Sequence, residues 1–366
     1  MSSLGKYICI LFLLILFPGC RQGASQSSSA EEIQVEIQVS PAIDLFGLIS
    51  RLAGINQYTE VMLPEFITEL ENYFGHLSDH PSIAFARECN ARHQINGDAP
   101  MALAVYVGPP PDWELRMDLS NIPDAFDPRW DSALINEYLE HARVFARESH
   151  FVEFFQGQKQ FQEHAREKLA AMLEGEGLFS WYMDYFGYYP EKVTAYLCLL
   201  NGTCSYGYPV FCPDGSLEFV SLMGGRFPDR NGVPSYPKDW FIPIIVHEYA
   251  HSYINPLIKS KPEEFKSMGE ALLRTQQAKM IERGYNVWNV MLQEYLVRAI
   301  TVRYLEQNNG RHKARENIRR DIRDGFAEIQ GLVTLVEDYE NLRDTYPTIE
   351  SFLPQVKTYF EEYLGQ

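Results

Sequence analysis

The pentapeptide His247-Glu248-Tyr249-Ala250-His251 constrains this chain more than any other segment. Residues four apart lie one above the other on a helix, so both imidazoles can reach a single point off one face. Glu248 is about 100° further round, badly placed as a third ligand beside the histidines. It is well placed to take a proton from water held at that point. The pattern is H-E-x-x-H, in which two histidines hold zinc and the glutamate is a general base. Its flanks favour a helix: Phe241-Ile242-Pro243-Ile244-Ile245-Val246 is apolar, as in a helix threaded through a core. Asp239 is positioned to cap that helix and Pro243 falls near its first turn. Asn255-Pro256 is expected to stop it about one turn after His251.

A catalytic zinc site needs a third protein ligand and one open position. The longer form H-E-x-x-H-x-x-G-x-x-H is excluded, because Ile254 and Leu257 stand where its glycine and third histidine would be. The third ligand is therefore expected to be a carboxylate on a following helix, and two glutamates compete. Glu270 stands among Lys261, Glu263, Glu264, Lys266, Arg274, Gln276 and Gln277, a run that reads as a solvated face. Glu294 stands in 287–300, a stretch nearly apolar all round, where a carboxylate is costly unless paired or bound to metal. Glu294 is the preferred ligand and Glu270 the alternative. Arg298, four residues beyond Glu294 on the same face, is expected to support that ligand. The histidines at 76, 80, 93, 141, 150, 164 and 312 show no metal spacing. Among 22 tyrosines none stands out as a transition-state stabiliser, and Tyr253, two past His251, should point away from the metal.

Two histidines and a base glutamate on one helix, with a glutamate ligand on a second, resemble the gluzincin branch of the zinc peptidases. More narrowly, the chain is similar to a group of bacterial lipoproteins carrying an uncharacterised gluzincin-like domain of unknown function. An H-E-[FY]-x-H-x-[FY]-[IV]-N-P segment is matched by His247 to Pro256, and E-x-[LV]-V-R-A by Glu294 to Ala299. A start of the form V-x-V-x-P-x-[IV]-[ED]-L is matched loosely by residues 37–45. The resemblance implies an α+β, helix-rich, zincin-like fold, with a small mixed or antiparallel sheet beside the H-E-x-x-H helix and a helical C-terminal part. It also implies Zn²⁺ as cofactor, and a peptide or protein substrate cleaved by a zinc-bound water that Glu248 activates. Such enzymes place an extended edge strand beside the metal helix for a peptide to pair with, and residues 217–222 are the expected edge. The rival reading is a lipid-anchored binding or interaction protein with the same fold and no turnover, its aromatic stretches at 151–155 and 179–189 forming a ligand surface.

The N-terminus bears on where the chain works. Lys6 is the one charge in residues 1–19, an 11-residue apolar run spans 7–17, and Pro18-Gly19-Cys20 follows. This reads as a signal peptide, too short to span a bilayer, with Cys20 as the lipidated first residue of a mature lipoprotein. Residues 20–31 read as a flexible tether and 32–366 as the zincin-like domain, with a subdivision at 190 into an N-terminal α/β part and a catalytic part. The expected location is the bacterial cell envelope, with secretion or the periplasm as the alternative. The whole chain carries a formal net charge of −17, which argues against nucleic acid and against adsorption to an anionic membrane except through the lipid. Cys89, Cys198, Cys204 and Cys212 remain for disulfides, with a local Cys204–Cys212 bridge favoured and the connectivity open.

Coarse periodicity fills in the rest. Residues 32–40 alternate as a strand, 43–52 turn helical, 101–107 read as an apolar strand closed by Gly108-Pro109-Pro110-Pro111, and 131–174 are helical. Residues 193–200, 208–211 and 217–222 read as strands separated by Asn201-Gly202 and Asp214-Gly215 turns. Beyond Lys261 the pattern is helical to the end, and 311–323 reads as a solvated amphipathic helix.

Overall fold

The computed structural model describes residues 34–118, 126–188 and 190–365; the signal, tether and Cys20 readings lie outside them. Helices α1 (Pro41–Leu52), α2 (Pro64–Phe74), α3 (Pro81–His93), α4 (Ala99–Ala104), α5 (Ser132–Glu148), α6 (Phe151–Gly157), α7 (Lys159–Leu173) and α8 (Leu178–Phe186) form the first half. Strand β1 (Glu36–Val39) precedes them, and β2 (Lys192–Cys198), β3 (Tyr206–Phe211) and β4 (Leu217–Gly224) follow. Then come α9 (Lys238–Lys259), α10 (Pro262–Glu282), α11 (Trp288–Asn309), α12 (Arg311–Asp324), α13 (Ile329–Asn341) and α14 (Ile349–Tyr363). The chain is α+β and helix-rich with one small mixed sheet, as its periodicity suggests.

The sheet runs β1-β2-β4-β3. The first three strands are parallel and β3 is antiparallel to β4, with Tyr206 opposite Leu222. Because successive side chains point to opposite faces, the sheet separates two apolar cores. Val193, Ala195, Leu197, Phe219 and Met223 face a core shared with α8, α9 and α11. Tyr196, Cys198, Val220 and Leu222 face a second core built on α1, α3 and α5. A cut at 190 separates β1 from its partner β2, and residues of α7 and α8 pack in the first core.

Several sequence expectations need correction. The expected strand at 101–107 is helix α4, with Pro100 in its first turn and Met101, Leu103 and Ala104 buried. A short apolar run suits a buried helix as well as a strand, so periodicity does not separate them. Residues 217–222 are not an edge: β4 lies between β2 and β3, and β3 is the edge beside α9. Pro209 inside β3 is the physical signal for that, since proline has no ladder N–H and is tolerated at edges. Helix α9 does not stop at Asn255-Pro256 but runs on to Lys259, keeping fully buried Ile258 in the core. Pro256 loses one hydrogen bond yet keeps a helical φ, and burial of the final turn outweighs that loss. Asp239 lies in the first turn rather than at the cap, where Pro237 stands without a side-chain bond. The four cysteines of the described chain are free. Cys204 and Cys212 flank β3 at opposite ends, so an extended strand holds them on the order of 20 Å apart, beyond disulfide reach.

The aromatic stretches belong mainly to packing. Phe179, Tyr182, Tyr185 and Phe186 are buried, and Phe186 stacks on Tyr253 at 4.0 Å between ring centroids. Tyr253 therefore points into the core and away from the histidines, as its position on the helix requires.

Candidate metal centre

Helix α9 crosses the interior with apolar residues on almost every side, so its few polar groups must find partners inside the protein. Tyr182 donates its hydroxyl to the Val246 carbonyl, tying α8 to the turn that precedes the motif. On the sheet side β3 approaches so closely that a Cβ on Gly207 would stand 1.7 Å from the Glu248 carbonyl oxygen. Only a glycine fits there. The strand edge is thus seated directly on the backbone of the motif.

His247 and His251 project together from α9 and bring their Nε2 atoms to 3.1 Å. Glu294 on α11 completes the group, with His251 Nε2 at 3.3 Å from one carboxylate oxygen and His247 Nε2 at 3.6 Å from the other. These three residues form the metal-capable group of histidine, cysteine and acidic side chains among the described residues. Glu270, half-buried on α10, is not a member. The buried setting of Glu294, 7% exposed, is the feature that distinguished it in the sequence.

Supporting contacts fix each member of the group. Asn255 Oδ1 lies 3.0 Å from His251 Nδ1 and can accept its N–H, which fixes the ring and turns Nε2 towards Glu294 and His247. Arg298 donates its Nε–H to Glu294 at 3.1 Å, and its Nη2 lies 3.0 Å from the same oxygen as an ion pair. It also donates to Asp321 at 2.7 Å and to the Tyr285 hydroxyl at 3.2 Å, while its guanidinium lies 4.3 Å over the Phe326 ring. Arg298 is therefore a support of Glu294, held behind it by these contacts.

The electrostatics divide four neighbouring groups, Glu248 and Glu294 buried and the two histidines partly so. Burial pushes His247 down to about 4 despite the Glu294 charge. Burial acts the same way on His251, but the hydrogen bond and charge of Glu294, with Glu248 beyond, raise it to about 8. Glu294 is opposed by burial, yet Arg298 and His247 hold it well below the usual carboxylate range. Burial raises Glu248 to about 7, where a carboxyl group exchanges its proton readily near neutrality.

Sequence reasoning missed the contribution of α12. The run 311–323 has a buried inner line of Ala314, Asn317, Ile318 and Asp321, and Asp321 is only 2% exposed. Their spacing of three, one and three residues, small or polar in a strongly charged run, was the available signal. Asn255, read as a helix stop, and Tyr285 were also missed. The other histidines serve elsewhere: His80 accepts from the Ser82 N–H at the start of α3 and meets Glu148 at 3.1 Å, and His141 stacks on Phe85.

A family model described as Domain of unknown function (DUF4932) matches residues 48–358, which include every member of this centre. The chain belongs to the DUF4932 family. That assignment carries no activity with it. No curated protein and no solved structure matches the chain. The chemistry of this DUF4932 domain must therefore be argued from its own side chains.

The donor set suits zinc. Two imidazole nitrogens and a carboxylate are borderline ligands of the zinc type. Bonds of 2.0–2.1 Å to a tetrahedral ion place neighbouring donor atoms about 3.3 to 3.4 Å apart. The two imidazole nitrogens stand 3.1 Å apart, close to that value, and one donor atom from each of the three residues lies within 4.8 Å of the others, compact enough to close on one ion.

Proposed function

We propose that this protein is a zinc-dependent hydrolase with a zincin-like fold, a peptidase of the gluzincin type, working in the bacterial cell envelope. His247, His251 and Glu294 would hold the ion and Glu248 is the general base. The observation that carries the reading is the convergence of one donor atom from each of His247, His251 and Glu294 to within 4.8 Å of one another, two of them supplied by an H-E-x-x-H helix. When bound, zinc supplies Lewis-acid polarisation of a carbonyl and lowers the pKa of water towards 7. Glu248 takes the proton of the attacking water and passes it to the leaving amine, its carboxyl group standing beside His247 in the wall of the cleft. Asn255 and Arg298 keep His251 and Glu294 in place through the cycle. The peptide nature of the substrate is supported by the resemblance and by the β3 edge seated on the motif. Anchoring through lipid on Cys20 belongs to the same proposal; among the described residues no helix is long and apolar enough to cross a membrane.

Purified protein is expected to contain one zinc per chain and to cleave members of a peptide panel. Glu248→Gln should keep the metal and lose turnover. Unchanged turnover in that variant would end the proposal.

A further inference from the structure

Beside the histidines an open cleft of about 160 Å³ lies between α9, α11 and α12. Its α9 wall is Pro243, Ile244, His247 and Glu248, so it begins at the base itself. The opposite wall holds Arg298, Asn317, Arg320 and Asp321. The charges of this wall do not all cancel. Arg298 and Asp321 face each other at 2.7 Å, and Arg298 also holds Glu294, so both are engaged. Arg320 donates to the Asn317 amide oxygen, a neutral partner. Its one carboxylate within 4 Å among the described residues is Asp321, at 3.9 Å and already bonded to Arg298. Its side chain is 51% exposed towards the cleft mouth. One guanidinium thus stands over the cleft with its charge answered only by that shared carboxylate, in a chain with an excess of acidic residues.

We propose that Arg320, positioned by Asn317, recognises a carboxylate on the substrate residue beside the bond that is cleaved, making this a hydrolase selective for peptides with a carboxylate at that residue. The inference rests on the hydrolase reading above and deepens it. A planar guanidinium matches a carboxylate with two parallel hydrogen bonds, which a neutral amide cannot reproduce. The carboxylate belongs either to an Asp or Glu side chain or to the free C-terminus of the peptide; both present the same two oxygens. Arg298 already faces two carboxylates, Glu294 and Asp321, so its charge is answered inside the protein.

The test uses the full chain and four matched peptides, with Glu or Gln beside the cleaved bond and a free or amidated C-terminus. The expected result is a preference of about tenfold or more in kcat/KM for the peptide with the recognised carboxylate, the size of a charged hydrogen-bonded contact. Arg320→Gln should abolish the preference while sparing the neutral peptide, and Arg320→Lys should restore part of it. A preference that follows the Glu-to-Gln exchange identifies a side chain, and one that follows amidation identifies the C-terminus. Equal rates for all four peptides, or a preference that survives in Arg320→Gln, overturn the proposal. A second arm titrates the same peptides into zinc-loaded Glu248→Gln protein by calorimetry, with and without Arg320→Gln. If no peptide is hydrolysed, the hydrolase reading fails, while acid-selective binding that depends on Arg320 still upholds the carboxylate site. Indifferent binding sinks it separately.

Discussion

Zinc binding by this protein should release protons in a number set by which buried groups are charged without the ion. At pH 6 His251, raised to about 8, is almost fully protonated, whereas His247, lowered to about 4, is neutral and Glu294 is ionised. A ligand nitrogen must give up its proton, so His251 contributes close to one. Glu248, raised to about 7, is about nine-tenths protonated at pH 6, and a divalent ion at its side favours the carboxylate. The wild type should therefore release about two protons at pH 6 and Glu248→Gln about one. The sign follows directly: protons are bound in the metal-free form and absent with zinc, so affinity rises with pH and levels off above about 8. Between about pH 5 and 7 the affinity should change roughly 100-fold per pH unit in the wild type and roughly tenfold in the variant. Calorimetric titration at pH 6 in two buffers of unlike ionisation enthalpy measures the proton count. A count that is zero, or that is the same in both proteins, would refute the assignment of Glu248 and His251 to one coupled site.

Three further outcomes follow from the same geometry. Asp321→Asn removes the carboxylate that shares Arg298 with Glu294, and zinc affinity measured by competition with a chromophoric chelator should fall about 10- to 100-fold; undiminished affinity would show that α12 does not support the site. Gly207→Ala drives a methyl group into the Glu248 carbonyl, backbone against backbone, so the urea midpoint should drop by the equivalent of about 3 kcal/mol, with zinc content falling alongside. Glu248 is 8% exposed and its carboxyl is raised in the fold, so its ionisation opposes folding increasingly from pH 4.5 to about 7 and fully above that. Glu248→Gln should accordingly stabilise the metal-free protein by about 3 kcal/mol at pH 8 and by almost nothing at pH 4.5, measured by denaturant unfolding at both values; a gain independent of pH would point to packing instead.

Much of the centre was readable in one dimension because helices are local. A spacing of four puts His247 and His251 on one face whatever surrounds them, and a lone carboxylate in an apolar helix advertises a buried partner, which singled out Glu294 over Glu270. The i,i+4 relation placed Arg298 against Glu294, where it is found at 3.0 Å. The helical character of the C-terminal half and the strands after residue 192 were equally local properties. Failures came where two structures share one pattern: the apolar run 101–107 fits a buried strand or α4, and Asn255-Pro256 fits a helix end or a tolerated interruption.

What the linear order could determine by itself is therefore the chemistry of each element: which helix offers imidazoles, which offers a carboxylate, and which groups cannot be left alone in a core. Only the tertiary structure decided which elements meet. It put β3 rather than β4 at the edge, brought Asp321 from a helix that looks fully solvated into contact with Arg298, and left Arg320 over the cleft sharing that one carboxylate at 3.9 Å. The physical reason is range: helical and strand periodicity act over a few residues, whereas strand order and ion pairing across 23 positions depend on how separate elements share the burial of their apolar faces.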